Sequence, residues 1–178
     1  RIGVDLASWS GIRDHGPARF RETVKRLEPD VVFGNEEEDA VIGGGWDGPV
    51  WILKRTPEHL ASLKKTGEQV ADPKSQRNPG ELTPEYARNE HRSRKPEILV
   101  AVGICSHLGC SPSAKLEAGA QPSLPDDWQG GFFCPCHGST FDLAGRVYKN
   151  KPAPDNLEVP PHMYLSDSKL LIGEDKKA

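Results

Sequence analysis

Two short segments of cysteine and histidine constrain this chain more than anything else in it. The first is Cys105-Ser106-His107-Leu108-Gly109-Cys110 and the second is Cys134-Pro135-Cys136-His137-Gly138-Ser139. All 4 cysteines of the 178-residue chain lie in these two segments. Such clustering means a metal site, a pair of disulfides, or a mixture of the two. Each segment follows an apolar stretch and contains glycine, so both read as loops at strand ends rather than as helices. Cys136 and His137 are adjacent and their side chains diverge, so Cys134 with His137 makes the better pair for one small site. Cys105 and His107, two apart, lie on one side of an extended segment. Cys110 and Cys136, one per loop, are then free to form a disulfide. Structural zinc and a purely disulfide-bonded module are the competing readings. Zinc ligands usually recur at C-x2–4-C and H-x3–5-H spacings, which neither loop shows.

The rest of the chain reads as mainly β. With 18 Gly and 16 Pro, turns and short strands are favoured over long helices. Strands are predicted at 31–33, 49–53, 98–104, 139–142, 146–148, 157–159, 163–165 and 170–172. Tight turns fall at Leu143-Ala144-Gly145 and Ser166-Asp167-Ser168, giving a small antiparallel β domain. One short helix is predicted, capped by Thr56 with Pro57 at its first position, Glu58 in its first turn and Leu60 and Leu63 facing the core. Residues 71–96 are polar and proline-bearing, an excursion rather than a packed element. Residues 1–48 form an N-terminal segment of unassigned role, with Glu36-Glu37-Glu38-Asp39 as a solvated loop; residues 49–178 form the domain that carries both loops.

Other functions lose on particular residues. A net charge of −3 with scattered basic residues gives no nucleic-acid footprint. Gly43-Gly44-Gly45-Trp46-Asp47-Gly48 has the G-x-G-x-x-G spacing, but that fingerprint needs a helix to open next. Pro49-Val50-Trp51-Ile52-Leu53 reads as a strand instead. No apolar run approaches the roughly 18 residues of a membrane helix, the best being 98–104. The chain begins at Arg1 and reads as a processed or truncated piece, with any anchor lying outside it. His15, His59, His91 and His162 have no partner at ligand spacing and read as surface or turn residues. Trp46, Trp51 and Trp128 read as packing residues, and Ser139 lacks the G-x-S-x-G setting of a serine nucleophile.

C-S-H-L-G-C followed by C-P-C-H-G-S resembles the Rieske proteins of quinol–cytochrome c reductase (cytochrome bc) complexes, in a proteobacterial spelling. The likeness continues through Phe141-Asp142-Leu143-Ala144-Gly145-Arg146 and Lys151-Pro152-Ala153-Pro154 to Leu157-Glu158-Val159-Pro160, and covers roughly 49–178. It implies a small antiparallel β-sandwich with a cluster-binding subdomain and one 2Fe–2S cluster. Cys105 and Cys134 would bind one iron, and His107 and His137 the other. Cys110–Cys136 would be a loop-to-loop disulfide, which simpler Rieske ferredoxins and oxygenase domains lack. Replacing two thiolates by neutral imidazoles removes two negative charges, so the cluster accepts an electron more readily than an all-cysteine one.

The same resemblance implies roles outside the ligand set. His107 and His137 would meet the quinol, and Leu108 would cover the cluster and touch a cytochrome b subunit. Pro152 and Pro154 would shield the cluster, while Ser139 and Phe141 would tune it. The implied function is to take an electron from quinol and pass it to a cytochrome c partner. The setting would be a membrane-anchored dimeric complex on the periplasmic face of a bacterial inner membrane, with the mitochondrial inner membrane as the alternative. A stand-alone Rieske carrier is the alternative function. Some features depart from the family pattern. Residues 1–48 do not align with its usual anchor and hinge, and 117–127 form a Pro-containing insertion. Phe141 stands where tyrosine is common, and Lys151 where glycine is common. If that last position requires φ > 0, lysine costs about 1 kcal/mol there.

Overall fold

The computed structural model describes residues 4–5, 31–34, 40–42, 49–77, 82–166 and 169–175. Within them, three sheets surround two apolar clusters. The first sheet runs β1 (Val4–Asp5), β2 (Val31–Gly34), β4 (Val50–Lys54), β5 (Ile98–Val102). The second runs β3 (Ala40–Ile42), β10 (Leu170–Ile172), β9 (His162–Tyr164), and the third runs β6 (Ser113–Lys115), β7 (Gly131–Cys134), β8 (Ser139–Asp142). Every pairing among strands after residue 49 is antiparallel, as the turn-rich sequence requires. Two pairings differ from the antiparallel expectation: β1 lies parallel to β2, and β3 lies parallel to β10. In each case long stretches of chain separate the partners, the condition parallel pairing needs.

The β-branched and aromatic run of β4 pairs with β5 in the register Trp51↔Ala101 and Leu53↔Leu99. Its inward side chains meet the third sheet, where Trp51 stacks on Phe132 with centroids 4.8 Å apart. Leu53, Leu99, Phe132, Phe141, Leu143 and Leu157 are fully buried around this stack. Each such side chain contributes about 1.5–3 kcal/mol of burial energy. Cys105 and Cys134 belong to the same cluster, so the first thiol of each loop is rooted in the core. A second cluster of Val50, Val100, Leu170 and Ile172 joins the first sheet to the second.

The helix, α1 (Pro57–Thr66), forms as expected. The Thr56 hydroxyl accepts from the His59 backbone N–H, and the Thr56 N–H donates to His59 Nδ1, both at 3.3 Å. This is a capping box with histidine where Glu or Gln is usual. Leu63 is buried, and Leu60 packs at the cluster's edge.

Several expectations are corrected. Residues 146–148 and 157–159 form no strands: Val147 and Tyr148 make isolated bridges to Phe141 and Val70. The Leu157 N–H donates to Gly145 O and the Val159 N–H to Leu82 O, two unrelated partners. Prolines at 152, 154, 160 and 161 flank this stretch, and a residue without an N–H cannot extend a ladder. The predicted strand at 163–165 is β9, one residue earlier, and the one at 98–104 ends at Val102. His162 is not a surface residue but is fully buried. Its Nδ1 lies 2.8 Å from Pro160 O, its ring meets Tyr86 edge-on, and burial lowers its pKa. Lys151 does not have positive φ, so the lysine carries no such cost; its neighbour Asn150 does (φ 58), a residue type that tolerates it. Trp51 and Trp128 pack in the interior as expected. His15, Trp46, the Gly43–Gly48 spacing, the acidic run at 36–39 and the turn residues Asp167 and Ser168 lie outside the described residues.

The described part of 71–96 is no mere excursion. Arg92 within it is fully buried, and its guanidinium donates to Ser75 Oγ, Thr83 Oγ1 and the carbonyls of Ala144, Gly145 and Leu157. Buried Arg55 donates to the carbonyls of His91 and Leu143 and to Ser93 Oγ. Buried Arg146 pairs with Asp142. A polar segment can be interior when its donors and acceptors find each other. All three guanidinium groups converge on the turn that follows β8. Burial pushes Arg55 and Arg92 down to about 10, still far above neutral pH, so each remains charged.

Candidate metal centre

The two loops have the same backbone device. In the first, the Gly109 N–H donates to Cys105 O at 3.1 Å; in the second, the Gly138 N–H donates to Cys134 O at 3.0 Å. Both glycines have positive φ, 79° and 77°, so each loop turns back where a side chain would be strained. The second loop is the connection of the β7–β8 hairpin, whose last pair is Cys134↔Ser139. The first leaves β5 through Gly103 and Ile104 and closes with the Cys105 N–H on Cys110 O.

The fold brings the two loops together tip to tip. Cys110 and Cys136 form a disulfide with Cα atoms 6.6 Å apart. Cys105 and Cys134 are free thiols and buried. Cys134 and the Ser139 hydroxyl both lie near enough to act on the Cys105 thiol, Cys134 raising its pKa and Ser139 lowering it. The His107 and His137 rings face each other edge-on with centroids 4.7 Å apart. The thiols thus lie inside and the imidazoles outside, His107 half-buried and His137 exposed. Leu108, at the tip of the first loop, is 70% exposed.

The donor set suits a thiophilic cluster. Burial pushes the Cys105 thiol up, and neighbouring Cys134 adds to that, while hydrogen bonds at His107 and from Ser139 pull it down. Two thiolates side by side in a dry pocket need cationic charge between them. The sulfurs of Cys110, Cys134 and Cys136 lie within 4.8 Å of one another. Two of them are spent on each other in the disulfide, so that trio is not a ligand set.

A third wall stands beside the loops. The Ala153 N–H donates to Ser139 Oγ at 3.0 Å, and Ser106 Oγ donates to Asp155 O at 2.7 Å. Arg77 donates to Pro154 O. These contacts hold Pro152-Ala153-Pro154 against both loops, with Ala153 buried and the prolines exposed. Phe141 is fully buried in the core shared with both free thiols. Sequence reasoning missed Ser106 and Arg77. Ser106 lies between two proposed ligands and could have been noticed; nothing marks Arg77.

The family description of the Rieske [2Fe-2S] domain matches residues 90–161. The ubiquinol–cytochrome c reductase iron–sulfur subunit of Allochromatium vinosum is 49% identical over 177 residues, 98% of this chain and 83% of that protein. The chain belongs to the Rieske iron–sulfur family. Its Rhodospirillum rubrum relative of the same name is 36% identical over 173 residues, covering 97% of this chain and 84% of that protein. Likeness therefore runs beyond 49–178 into the N-terminal residues that motif reading left unaligned. The cyanobacterial plasma membrane Rieske protein PetC3 from Synechocystis PCC 6803 superposes with a TM-score of 0.40 at 20% identity, over 88% of this chain and 93% of that one. The cofactor of a Rieske domain is a single 2Fe–2S cluster, and the paired thiols and imidazoles here fit it. Among the described residues, no helix is long and apolar enough to cross a membrane.

Proposed function

We propose that this chain is the iron–sulfur subunit of a quinol–cytochrome c reductase, receiving one electron from quinol and delivering it to a cytochrome c partner. The observation that carries this reading is the pairing of two buried free thiols with two imidazoles whose rings meet at the protein surface. Cys105 and Cys134 would hold one iron, and His107 and His137 the other. Bound there, the cluster supplies a one-electron acceptor of raised potential, because neutral imidazoles replace two thiolates.

The chain's own residues do the rest. Exposed His137 and half-buried His107 present ring N–H groups to a quinol at the loop tips. Ser139 places its hydroxyl on the Cys105 sulfur, where it favours added negative charge. The disulfide and the Pro152-Ala153-Pro154 wall keep water from the thiol side. Leu108 offers an exposed apolar contact for a cytochrome b subunit. The native setting is a membrane-anchored dimeric complex on the periplasmic face of a bacterial inner membrane. The names of the two relatives, both ubiquinol–cytochrome c reductase iron–sulfur subunits, support membership of such a complex, and the anchored, dimeric, periplasmic setting is what the family resemblance implies.

The test is reconstitution of a bacterial cytochrome bc complex depleted of its iron–sulfur subunit. Restored quinol-dependent cytochrome c reduction supports the proposal. A cluster-loaded chain that neither joins the depleted complex nor restores turnover overturns it in favour of a stand-alone carrier.

A further inference from the structure

Three sulfurs lie within 4.8 Å of one another at the loop junction, and only two of them are bonded. The third belongs to Cys134, buried at the end of β7 beside the other free thiol, that of Cys105. A thiolate beside a disulfide is the arrangement from which thiol–disulfide exchange proceeds. We propose that Cys134, when no iron holds it, attacks the Cys110–Cys136 disulfide, so that cluster occupancy and disulfide pairing are coupled at one site.

The step balances without any outside oxidant or reductant. Cys134 Sγ gives up its proton and attacks Cys136 Sγ; the Cys134–Cys136 bond forms and the Cys110–Cys136 bond breaks. The leaving electron pair stays on Cys110 Sγ, which takes up a proton. Attack on Cys110 Sγ instead gives Cys110–Cys134 and releases Cys136. Cys105, already in contact with Cys134, can then attack the new bond at Cys134. The product is a Cys105–Cys134 disulfide with Cys110 and Cys136 as thiols. The number of disulfides never changes, but in this last isomer both cysteine ligands are consumed and no cluster can bind. Iron on Cys134 ties up the nucleophile and so protects the disulfide. A disulfide formed before cluster insertion stays mobile, whereas one formed afterwards is fixed. That protection rests on the ligand assignment proposed above; the exchange itself rests only on the sulfur positions.

Anaerobic removal of iron from the holo protein by a chelator, followed by acid quench and two-step alkylation, tests the idea. One label marks thiols free at the quench, and a second marks those released by later reduction. Peptide mass spectrometry then reads which pair was free. The native pairing leaves Cys105 and Cys134 free. Exchange replaces this with Cys105 and Cys110, Cys105 and Cys136, or Cys110 and Cys136. We expect these pairs in cluster-free wild type and none in holo protein, while cluster-free Cys134→Ser should keep Cys105 as its one free thiol, with neither Cys110 nor Cys136 released. Cluster-free Cys105→Ser should stop at the first exchange, with Cys110 or Cys136 free. Cluster-free wild type that keeps only Cys105 and Cys134 free overturns the proposal and leaves the ligand assignment standing. Equal rearrangement in holo protein overturns the coupling and removes Cys134 from the ligand set.

Discussion

Replacing Asp142 by asparagine changes one oxygen to an amide nitrogen in a fully buried site. Oδ1 accepts from the N–H groups of Ala144 and Arg146, each at 2.9 Å, and the asparagine oxygen can keep both bonds. Oδ2 accepts from Arg146 Nε at 2.8 Å and from the Thr66 hydroxyl at 2.9 Å. There the new NH2 would face a cationic donor. The carboxylate is also the opposing charge felt by Arg55 and Arg92. Its loss leaves buried positive charge uncompensated, which costs about 3–5 kcal/mol. That is a large share of a total stability of roughly 5–15 kcal/mol. At about 2–4 °C per kcal/mol for a chain of this size, the midpoint should fall by roughly 6–20 °C. Thermal melts of the holo protein, followed by circular dichroism and by visible absorbance, measure it. A double variant, Asp142→Asn with Arg146→Met, should melt above Asp142→Asn alone, because one of the uncompensated cations is then removed as well. An Asp142→Asn midpoint within about 3 °C of wild type would refute the reading of this carboxylate as the counter-charge of the interior.

Cys110→Ser opens a loop of sequence separation 26, worth about 3.5 kcal/mol in the chain-entropy model. The cluster ties the same loops, so the variant should assemble the cluster but lose its colour at a lower temperature; unchanged retention on heating counts against that. Ser139→Ala removes a hydrogen bond to the Cys105 sulfur. A loss of about 1–2 kcal/mol should lower the one-electron potential by roughly 40–90 mV in a redox titration, and a wild-type value contradicts it. His162 is buried with its pKa held below 6.5, so the unfolded chain takes up that proton first as pH falls. Stability should therefore drop below about pH 6.5, and His162→Gln should flatten that fall in urea titrations; an unchanged slope refutes it.

The site was more legible than the scaffold that holds it. Residue type and spacing point to Cys110 and Cys136 as the bonded pair and to Cys105 and Cys134 as thiols left over, which is what the structure has; the ligand roles of the four remaining residues come from the family resemblance. Local signals also located α1, β4, β8 and β10, where β-branched runs or a capping residue stand next to their effect. What escaped depends on distant partners. Nothing near Arg92 in sequence says that its guanidinium will meet the carbonyls of Ala144, Gly145 and Leu157, so 71–96 read as solvent-facing. His162 has no neighbour that announces burial under Tyr86. The extended stretch 157–159 has strand-like residues, yet its prolines and scattered acceptors prevent a ladder.

The central claim is that two histidines and two cysteines hold one 2Fe–2S cluster. Electron–nuclear double resonance on the reduced protein, grown with nitrogen-15 histidine, tests it most directly. The account predicts strong hyperfine coupling to two nitrogens, with one lost in each of the His107 and His137 replacements that still retain iron. A reduced cluster showing no directly bound nitrogen would contradict it.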